Sequence, residues 1–289
     1  MVVDVLKNKI DFAVIINVKN ANPNGDPLNG NRPRVNYDGL GELSDVCIKR
    51  KIRNRLLEAG HAIFVQSDDN RVDDYRSLRA RAEGELKDVL KNEQRFREEA
   101  CKNWIDVRAF GQVFAYSGSG KGEDKGVSIG IRGPVSIHSA FSVSPVSISS
   151  IQITKSVSGE GDGTKKASDT MGMKHRVDHG VYLFYGSMNP QLAGKTGFSD
   201  EDAEAIKKVL TTLFENDASS ARPEGSMEVY KVYWWNHNCK NGQYSSAKVH
   251  RSLKVSIKPG ISDPKNIEDD YSITIQPLDD LTPEIIDGR

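Results

Sequence analysis

The chain has 289 residues, and its 40 basic side chains equal its 40 acidic side chains in number. No apolar run reaches the length that crosses a bilayer, residues 1–9 lack the apolar core of a signal peptide, and three widely spaced cysteines do not suggest a disulfide framework. These features exclude membrane and secreted classes. We therefore expect a cytoplasmic protein with no membrane partner, in which residues 1–289 form a single domain.

The first part of the chain predicts a strand, a loop and a basic helix. Ile10 to Lys19 is an apolar run rich in β-branched residues and is dense enough for a central strand. Asn20 to Asn36 holds three prolines, two glycines and six asparagines, so it predicts a loop. Ser44 is a good N-cap, and Ala59-Gly60 is a typical helix end.

The middle of the chain predicts two insertions around a pair of strands. Residues 71–104 interleave basic and acidic side chains, which predicts a solvated helical insertion broken near Gly84. Residues 117–126 predict a flexible loop because they contain almost no apolar side chain. Residues 128–153 predict two strands with a turn near Pro145, and a polar arm follows at 154–176.

The last part of the chain predicts a strand at 181–188, a helix from Ser199 to 214, a strand at 227–235, and weaker strands at 253–257 and 271–275. The acidic segment at 263–289 is expected to be a loosely held tail. Trp234 and Trp235 must point to opposite faces of their strand. One of them is expected in the core, and the other could stack on a base or contact a protein.

With the insertions set aside, the predicted order is strand, helix, strand hairpin, strand, helix, strand. This order is typical of a ferredoxin-like split βαβ core, a scaffold that RNA-recognition modules also use. We therefore predict an α+β fold. The helical insertion and the polar arm would project from that core.

Charge is segregated along the chain although the total is neutral. Between Arg32 and Arg55 seven basic residues stand against three acidic ones, whereas residues 263–289 hold eight acids and two bases. Lys49 and Arg53 are i, i+4 neighbours whose mutual repulsion a phosphate backbone would relieve. The free N–H groups behind Ser44 offer a further anion contact. The basic segment indicates a nucleic-acid-binding surface, although a plain solvated helix face would carry similar charges.

The polar arm combines basic and apolar side chains. Basic side chains can bind phosphates while an apolar wedge separates stacked bases. A surface loop without function would have a similar composition, so composition alone leaves both readings open. The side chains concerned are Lys155, Lys165, Lys166, Met171, Met173, Lys174 and Arg176.

The motifs of common enzyme classes are incomplete. GSGKG at 118–122 lacks the Ser or Thr that follows a phosphate-loop lysine, and the GKT at 194–196 has Asn189 in the first glycine position. The histidines and cysteines lack zinc-ligand spacing, so we expect no metal and no cofactor. Asp26 could activate a ribose hydroxyl for RNA cleavage. A turn role is more ordinary for Asp26 within NPNGDP.

Six segments in the same order resemble the backbone subunit of the type I-C CRISPR Cascade complex, a member of the RAMP superfamily. The resemblance covers about residues 10–253. The segments are NANPNGDP after the first strand, LSDVCIKRKIRNRL, DVRAFGQVFAY, IRGPVSIHSAFSVSPVSISSIQIT, TMGMKHRVDHGVYLFYGSMNP and KTGFSDEDAEAIKKVL.

The resemblance implies a fold shaped like a right hand. Its parts would be a ferredoxin-like, RRM-like palm at about 10–60, 106–153 and 180–257, helical fingers at about 66–104, a β-hairpin thumb at about 154–176, and an acidic C-terminal tail at about 263–289. It also implies that several copies stack head to tail along one CRISPR RNA, kink it, and present it for pairing with target DNA beside other Cascade subunits.

Carried over by position, the resemblance implies RNA contacts on the first helix, on the loop before it and on the thumb. Met171 or Met173 would be the wedge between bases, and Lys51 and Arg55 are left as solvated charges. The predicted RNA-binding residues are Arg32, Arg34, Ser44, Lys49, Arg50, Arg53, Lys155, Met171, Met173, Lys174, His175 and Arg176.

The resemblance implies that the protein is not an enzyme, because type I members of the superfamily are not expected to cleave RNA. Two alternatives stay open at this point. One is an RNA endonuclease of the same superfamily that uses Asp26. The other is a protein-interaction module that binds no nucleic acid.

Overall fold

The computed structural model describes residues 4–90, 92–116, 127–155 and 171–289. The predicted loop at 117–126 and the middle of the polar arm, with Lys165 and Lys166, lie outside the described residues. The described part combines helices with a large antiparallel sheet, in agreement with the predicted α+β class. None of its helices is both long enough and apolar enough to cross a membrane.

The strands of the described residues are β1 (Ile10–Ala21), β2 (Gly25–Asp26), β3 (Arg32–Pro33), β4 (Leu40–Leu43), β5 (Gly111–Tyr116), β6 (Val127–Arg132), β7 (Val135–Ile137), β8 (Ala140–Pro145), β9 (Ile148–Thr154), β10 (Met171–Met188), β11 (Met227–Asn236), β12 (Leu253–Ile257), β13 (Tyr271–Ile275) and β14 (Glu284–Asp287). The helices are α1 (Asp45–Glu58), α2 (Leu78–Glu85), α3 (Glu93–Asn103), α4 (Ile105–Phe110), α5 (Pro190–Thr196), α6 (Asp200–Leu210), α7 (Ser246–Ser252) and α8 (Ile267–Asp270).

The large sheet runs in the order β14-β11-β1-β10-β8-β4, and β7 and β9 also pair with β10. β1 pairs antiparallel with β10 on one side and with β11 on the other, which confirms the predicted central strand. Successive side chains on a strand point to opposite faces. Phe12 and Val14 therefore join the core on one face, and Ala13 and Ile15 join the core on the other.

One face of the sheet is covered by α1 and α6, which pack against each other. Ile48, Ile52 and Leu56 of α1 are fully buried, as their i, i+4, i+8 spacing predicts. α6 begins in a capping box. Ser199 Oγ accepts the N–H of Asp202, and the Asp202 carboxylate accepts the N–H of Ser199. Because α1 carries the second half of the basic segment (Arg32 to Arg55), this packing fixes that half of the segment on this face.

The opposite face is covered by the C-terminal part of the chain. Val249, Leu253 and Tyr271 are buried in its core, and so is Leu281. β14 then pairs with β11 at the edge of the large sheet. The prediction of a loosely held acidic tail is therefore wrong. Ile267, Tyr271 and Leu281 of this segment are buried, while its acidic side chains are mostly exposed.

Asp11 is fully buried beside two histidines in this second core. His237 Nδ1 accepts the N–H of Gln243 at 2.9 Å, so its Nε2 carries the proton and donates to Asp11 Oδ2, also at 2.9 Å. His250 Nε2 lies 3.6 Å from Asp11 Oδ1. Burial opposes the ionised form of Asp11, but hydrogen bonds from His237 and Ser246 hold the pKa of this carboxyl below its usual range.

The helical insertion has a core of its own, which corrects the prediction that it is only solvated. Phe64 packs against Trp104 and Phe114 with ring centroids 4.7 and 5.0 Å apart, and Phe96 packs edge-on against Phe114 at 4.9 Å. Gly84 lies inside α2, which ends at Glu85, so the break falls later than predicted. The apolar residues of this core come from five elements (α2, α3, α4, β5 and β6) and from connecting segments, so no single helix shows a strong apolar stripe.

Trp234 and Trp235 point to opposite faces of β11, as predicted, and both are buried. Trp234 stacks on Phe12 with 5.4 Å between the ring centroids, and Trp235 stacks on Tyr233 at 6.2 Å. Because the sheet is covered on both faces, the expectation that one tryptophan is available for a base or a partner is wrong.

Candidate nucleic-acid interface

The loop that follows β1, residues 22–36, carries Arg32 and Arg34 and is here called the basic loop. It is held in shape by asparagine side chains. Asn22 Nδ2 donates to the carbonyl of Asn31 at 2.6 Å. Asn24 Oδ1 accepts both the N–H and the hydroxyl of Ser44 at 3.0 Å, and the carbonyl of Asn24 accepts the N–H of Arg34. The segment that carries Arg34 is thereby fixed to the beginning of α1. Residue types alone indicated a loop here but not these contacts.

The charges that stay at the surface of α1 lie in its first half. Ser44 caps the helix by accepting the N–H of Cys47 at 3.3 Å, as predicted. Lys49 Nζ lies 2.9 Å from Asp45 Oδ2, one helical turn away, and Arg50 is exposed. Surface ion pairs of this kind contribute little to stability, so Lys49 can exchange its partner for a phosphate at small cost.

Arg53, in contrast, is held inside the protein. Its Nε lies 2.9 Å from Asp106 Oδ2, and its guanidinium group packs over the Phe110 ring at 5.2 Å. Asp106 also accepts the backbone N–H groups of Phe64 and Val65. The Arg53 side chain is only 14% exposed. This geometry favours a structural role that joins α1 to α4, and an RNA contact by Arg53 stays a prediction.

Lys51 and Arg55 are not solvated, which corrects the sequence-based expectation. The Lys51 side chain is 1% exposed and pairs with Asp217, which Arg222 also contacts at 3.0 Å. Burial lowers the pKa of Lys51, and the nearby Asp217 carboxylate only partly opposes that shift. Arg55 reaches Glu215 at 3.3 Å. Both bases lie on the side of α1 that meets the segment after α6.

Arg32 connects the loop to the root of the hairpin formed by β9 and β10. Its Nη1 lies 2.8 Å from Ser150 Oγ and 3.4 Å from His175 Nδ1, and these two atoms are 2.9 Å apart. Two residues predicted as separate RNA contacts therefore meet. Ser150 was not predicted, because one serine in a serine-rich strand gives no signal. The beginning of α1, the loop and the hairpin root form one continuous surface.

One face of the hairpin carries both methionines. Cross-strand partners point to the same face, and alternate residues of β10 share a face, so Met171, Met173 and His175 lie together. His175 pairs with Ser150, and Arg32 contacts this pair from the loop. Met171 and Met173 are 63% and 55% exposed. The two candidate wedge residues thus stand on the face that the basic loop meets.

The other face of the hairpin is apolar and basic. Ile151 and Ile153 are 42% and 49% exposed, and Lys174 is the cross-strand partner of Ile151. Arg176 lies on the same face, nearer the core, with its Nε 3.9 Å from Asp178 Oδ1. Lys155 is exposed directly after β9. Of the predicted residues, Lys174 and Arg176 therefore lie on the isoleucine face and His175 on the methionine face, while Lys155 follows the end of β9.

Asp26 has the turn role that is ordinary for NPNGDP. Its Oδ1 accepts the N–H of Leu28 at 3.2 Å and caps the short 3-10 turn Pro27–Asn29. The same oxygen lies 3.5 Å from Arg34 Nη2. Among the described residues, no group of three or more His, Cys, Asp or Glu side chains is arranged to hold a metal ion.

The sequence model of a family described as CRISPR-associated protein Cas7 matches residues 8–276. The chain belongs to the Cas7 family. The match spans the basic loop, α1 and the hairpin root, so the resemblance to a CRISPR backbone subunit is confirmed at the level of the Cas7 family. The type I-C subtype stays a prediction.

Two further comparisons agree with membership of the Cas7 family. The CRISPR-associated protein Cas7 of Haloferax volcanii is 26% identical over 225 residues, which cover 74% of this chain and 66% of that protein. The chain thus matches just under two thirds of the length of that relative. A chain of a solved structure, "CRISPR RNA-guided surveillance complex, pre-nicking", aligns with a TM-score of 0.52 and 15% identity over 90% of this chain and 85% of its own. At that identity the likeness shows a shared fold.

Proposed function

We propose that the protein binds CRISPR RNA as a backbone subunit of a Cascade complex. One observation carries the proposal: hydrogen bonds link the beginning of α1 to the basic loop through Asn24, and the loop to the hairpin root through Arg32. In a chain of the Cas7 family, this continuous surface is where a phosphate backbone would run.

The surface offers the chemistry that binding a backbone requires. Arg34, Lys49 and Arg50 supply positive charge from the loop and the first half of α1. Such charges bind phosphates of any sequence and release counterions. The exposed methionine face supplies apolar side chains that can part stacked bases. Reading of sequence would be left to base pairing between guide and target DNA.

We further propose the right-hand description and the type I-C subtype. The strand order β11-β1-β10-β8, with α1 and α6 on one face, supports a ferredoxin-like palm. The insertion with its own core would be the fingers, and the β9–β10 hairpin would be the thumb.

Partners follow from the same proposal: CRISPR RNA, target DNA, further copies of the chain stacked head to tail, and other Cascade subunits, in the cytoplasm. Exposed acidic residues at 263–287 and the basic surface at 32–50 support head-to-tail packing, since charges of opposite sign on two different faces favour a heterologous contact.

The proposal is tested by fluorescence anisotropy of a labelled single-stranded RNA at several salt concentrations. We expect affinity to fall steeply with salt. Arg34→Ala and Lys49→Ala should each weaken binding to all sequences alike and reduce the salt slope by about 1. Lys254→Ala, which removes an exposed lysine of β12, is the matched control. Absence of RNA binding by the unmodified protein would overturn the proposal.

The proposal includes no cleavage step, and the turn role of Asp26 supports that choice. Labelled RNA incubated with the protein and a divalent cation should stay intact. Cleavage that disappears in Asp26→Ala would instead establish the RNA endonuclease. For a pure protein-interaction module, the protein isolated from its native host would carry no RNA, which its absorbance ratio would reveal.

A further inference from the structure

Tyr37 stands at the tip of a turn between the basic loop and β4 and is fully exposed. Its side chain has 107% of the reference exposure, the highest among the large apolar and aromatic residues of the described chain. Leaving a large ring in water forgoes the stabilisation that burial would give. The whole of the Tyr37 ring is therefore available to a ligand.

The turn that carries Tyr37 is held firmly. Asn36 Oδ1 accepts the N–H groups of Asp38 and Leu40, each at 2.9 Å. Gly39 adopts a φ of 77°, which favours glycine, and its carbonyl accepts the N–H of Val146 from the β8–β9 turn. The backbone under the Tyr37 ring is thus fixed by contacts on both sides. Only the side-chain torsions of Tyr37, and not its backbone, then have to be ordered when a ligand covers the ring.

The surroundings of Tyr37 fit a nucleic acid better than a protein. Arg34 lies three residues earlier, and its carbonyl accepts the N–H of Glu42 at 2.9 Å, so the turn and the basic loop share one backbone ladder. Single-stranded nucleic acids are bound where basic grooves carry aromatic side chains on which bases stack. The core of a protein interface is depleted of aspartate, whereas Asp38 directly follows Tyr37 in the turn. The residues beside the ring, Asn36 and Asp38, are polar.

We propose that Tyr37 is a base-stacking residue, and that its ring supports one unpaired base of the nucleic acid bound on the basic surface. The inference deepens the proposed function and rests on it. The base could belong to the guide RNA or to the target strand, because both present the same flat face.

The test compares Tyr37→Ala and Tyr37→Phe for binding to labelled single-stranded RNA. Removal of one stacking side chain costs about 1–3 kcal/mol per base, so Tyr37→Ala should weaken RNA binding roughly 5- to 150-fold if the base is in the guide, and should leave it unchanged if the base is in the target strand. Tyr37→Phe keeps the ring and should bind within about twofold of the unmodified protein. Leu28→Ala is the matched control. Leu28 is 96% exposed on the same loop but has no aromatic face, and its loss should leave RNA affinity unchanged.

The emission of 2-aminopurine, which falls when the base stacks, identifies the source of the base. The probe is placed at successive positions of the RNA, and in a second arm at successive positions of a complementary DNA added to the protein–RNA complex. We expect one arm to show emission that rises in Tyr37→Ala and stays low in Tyr37→Phe.

Failure of the inference and failure of the proposed function look different. If the unmodified protein binds no RNA, the proposed function fails and the inference with it. If RNA binds but Tyr37→Ala changes neither affinity nor emission in either arm, the inference alone is overturned. The same holds if Tyr37→Ala disrupts only the association of protein copies while leaving RNA affinity and the emission in both arms unchanged, since that result would assign the ring to a protein contact.

Discussion

Two bases on the same helix have opposite roles because of what surrounds each side chain. Lys49 keeps a single surface partner, whereas Lys51, two residues later, is buried against Asp217. The residue types are identical, and the helix period alone does not tell which side another element covers. The sequence predicted the cap at Ser44 and the buried isoleucines of α1, because those signals are local. The partners of Lys51 and Arg53 lie 166 and 53 residues away, so no local pattern could reveal them.

Removal of Asp217 should destabilise the protein strongly. Asp217→Ala leaves the Lys51 ammonium group buried with no carboxylate beside it. Breaking a buried ion pair in this way lowers the free energy of unfolding by about 3–5 kcal/mol. Urea denaturation measures this loss. The double variant Lys51→Met with Asp217→Leu removes both charges, and its free energy of unfolding should fall by clearly less. Equal losses in the single and double variants would contradict this account of the pair.

Arg53→Ala should affect stability rather than RNA contacts. It leaves the buried Asp106 carboxylate with only the N–H groups of Phe64 and Val65, at a cost of about 3 kcal/mol. Arg50→Ala, which removes an exposed base one turn earlier, should change the free energy of unfolding by less than about 0.5 kcal/mol. The salt slope of RNA binding should fall in Arg50→Ala and not in Arg53→Ala. The reverse pattern would support the prediction from the sequence that Arg53 contacts phosphate.

The two faces of the hairpin should contribute differently to RNA affinity. Met171→Ala with Met173→Ala removes the apolar side chains from the face that meets Arg32, and RNA affinity should fall by about tenfold, since a wedge or stacking contact contributes on the order of 1–3 kcal/mol. Ile151→Ala with Ile153→Ala removes similar exposed area from the opposite face and serves as the matched control. A larger loss in the isoleucine variant would place RNA on the other face.

The elements that the sequence predicted best are those with a strong local signal. β1, α1, α6, β12 and β13 lie close to their expected bounds, because each has a dense apolar run or a capped helix. The insertion and the acidic segment were misjudged for one reason. Each buries a few apolar side chains supplied by separate elements, and abundant charges hide them. From the residues alone the hairpin was predicted only as a polar arm, because residues 156–170 separate its two strands in the sequence. The expectation of a β-hairpin came from the family resemblance.

Acid should destabilise the whole molecule from near neutral pH downward. Burial lowers the pKa of His179 and of His250, and the nearby carboxylates only partly oppose it. Below the ordinary histidine pKa of about 6.5, the unfolded chain binds more protons than the folded one, so stability falls as pH falls. Asp11, whose folded pKa is depressed, contributes in the same direction at lower pH.

The check is the thermal midpoint measured between pH 8 and pH 5. We expect it to fall steadily below pH 7 in the unmodified protein. The drop should be smaller in the variant that combines His179→Gln with His250→Gln, once each curve is referred to its own value at pH 8. A midpoint that stays level, or rises, over this range would show that these histidines do not titrate with folding.

β10 is one uninterrupted strand of 18 residues, about 60 Å long, that begins in the hairpin and ends in the middle of the large sheet. Its hairpin half pairs with β9, and its inner half is bonded to β1. The hairpin therefore has no hinge along this strand and would move together with the sheet as one rigid element. A pull applied to its free end reaches the core as shear along the β1–β10 ladder. Tension along a bound nucleic-acid strand would thus be transmitted to the centre of the subunit and not only to its edge.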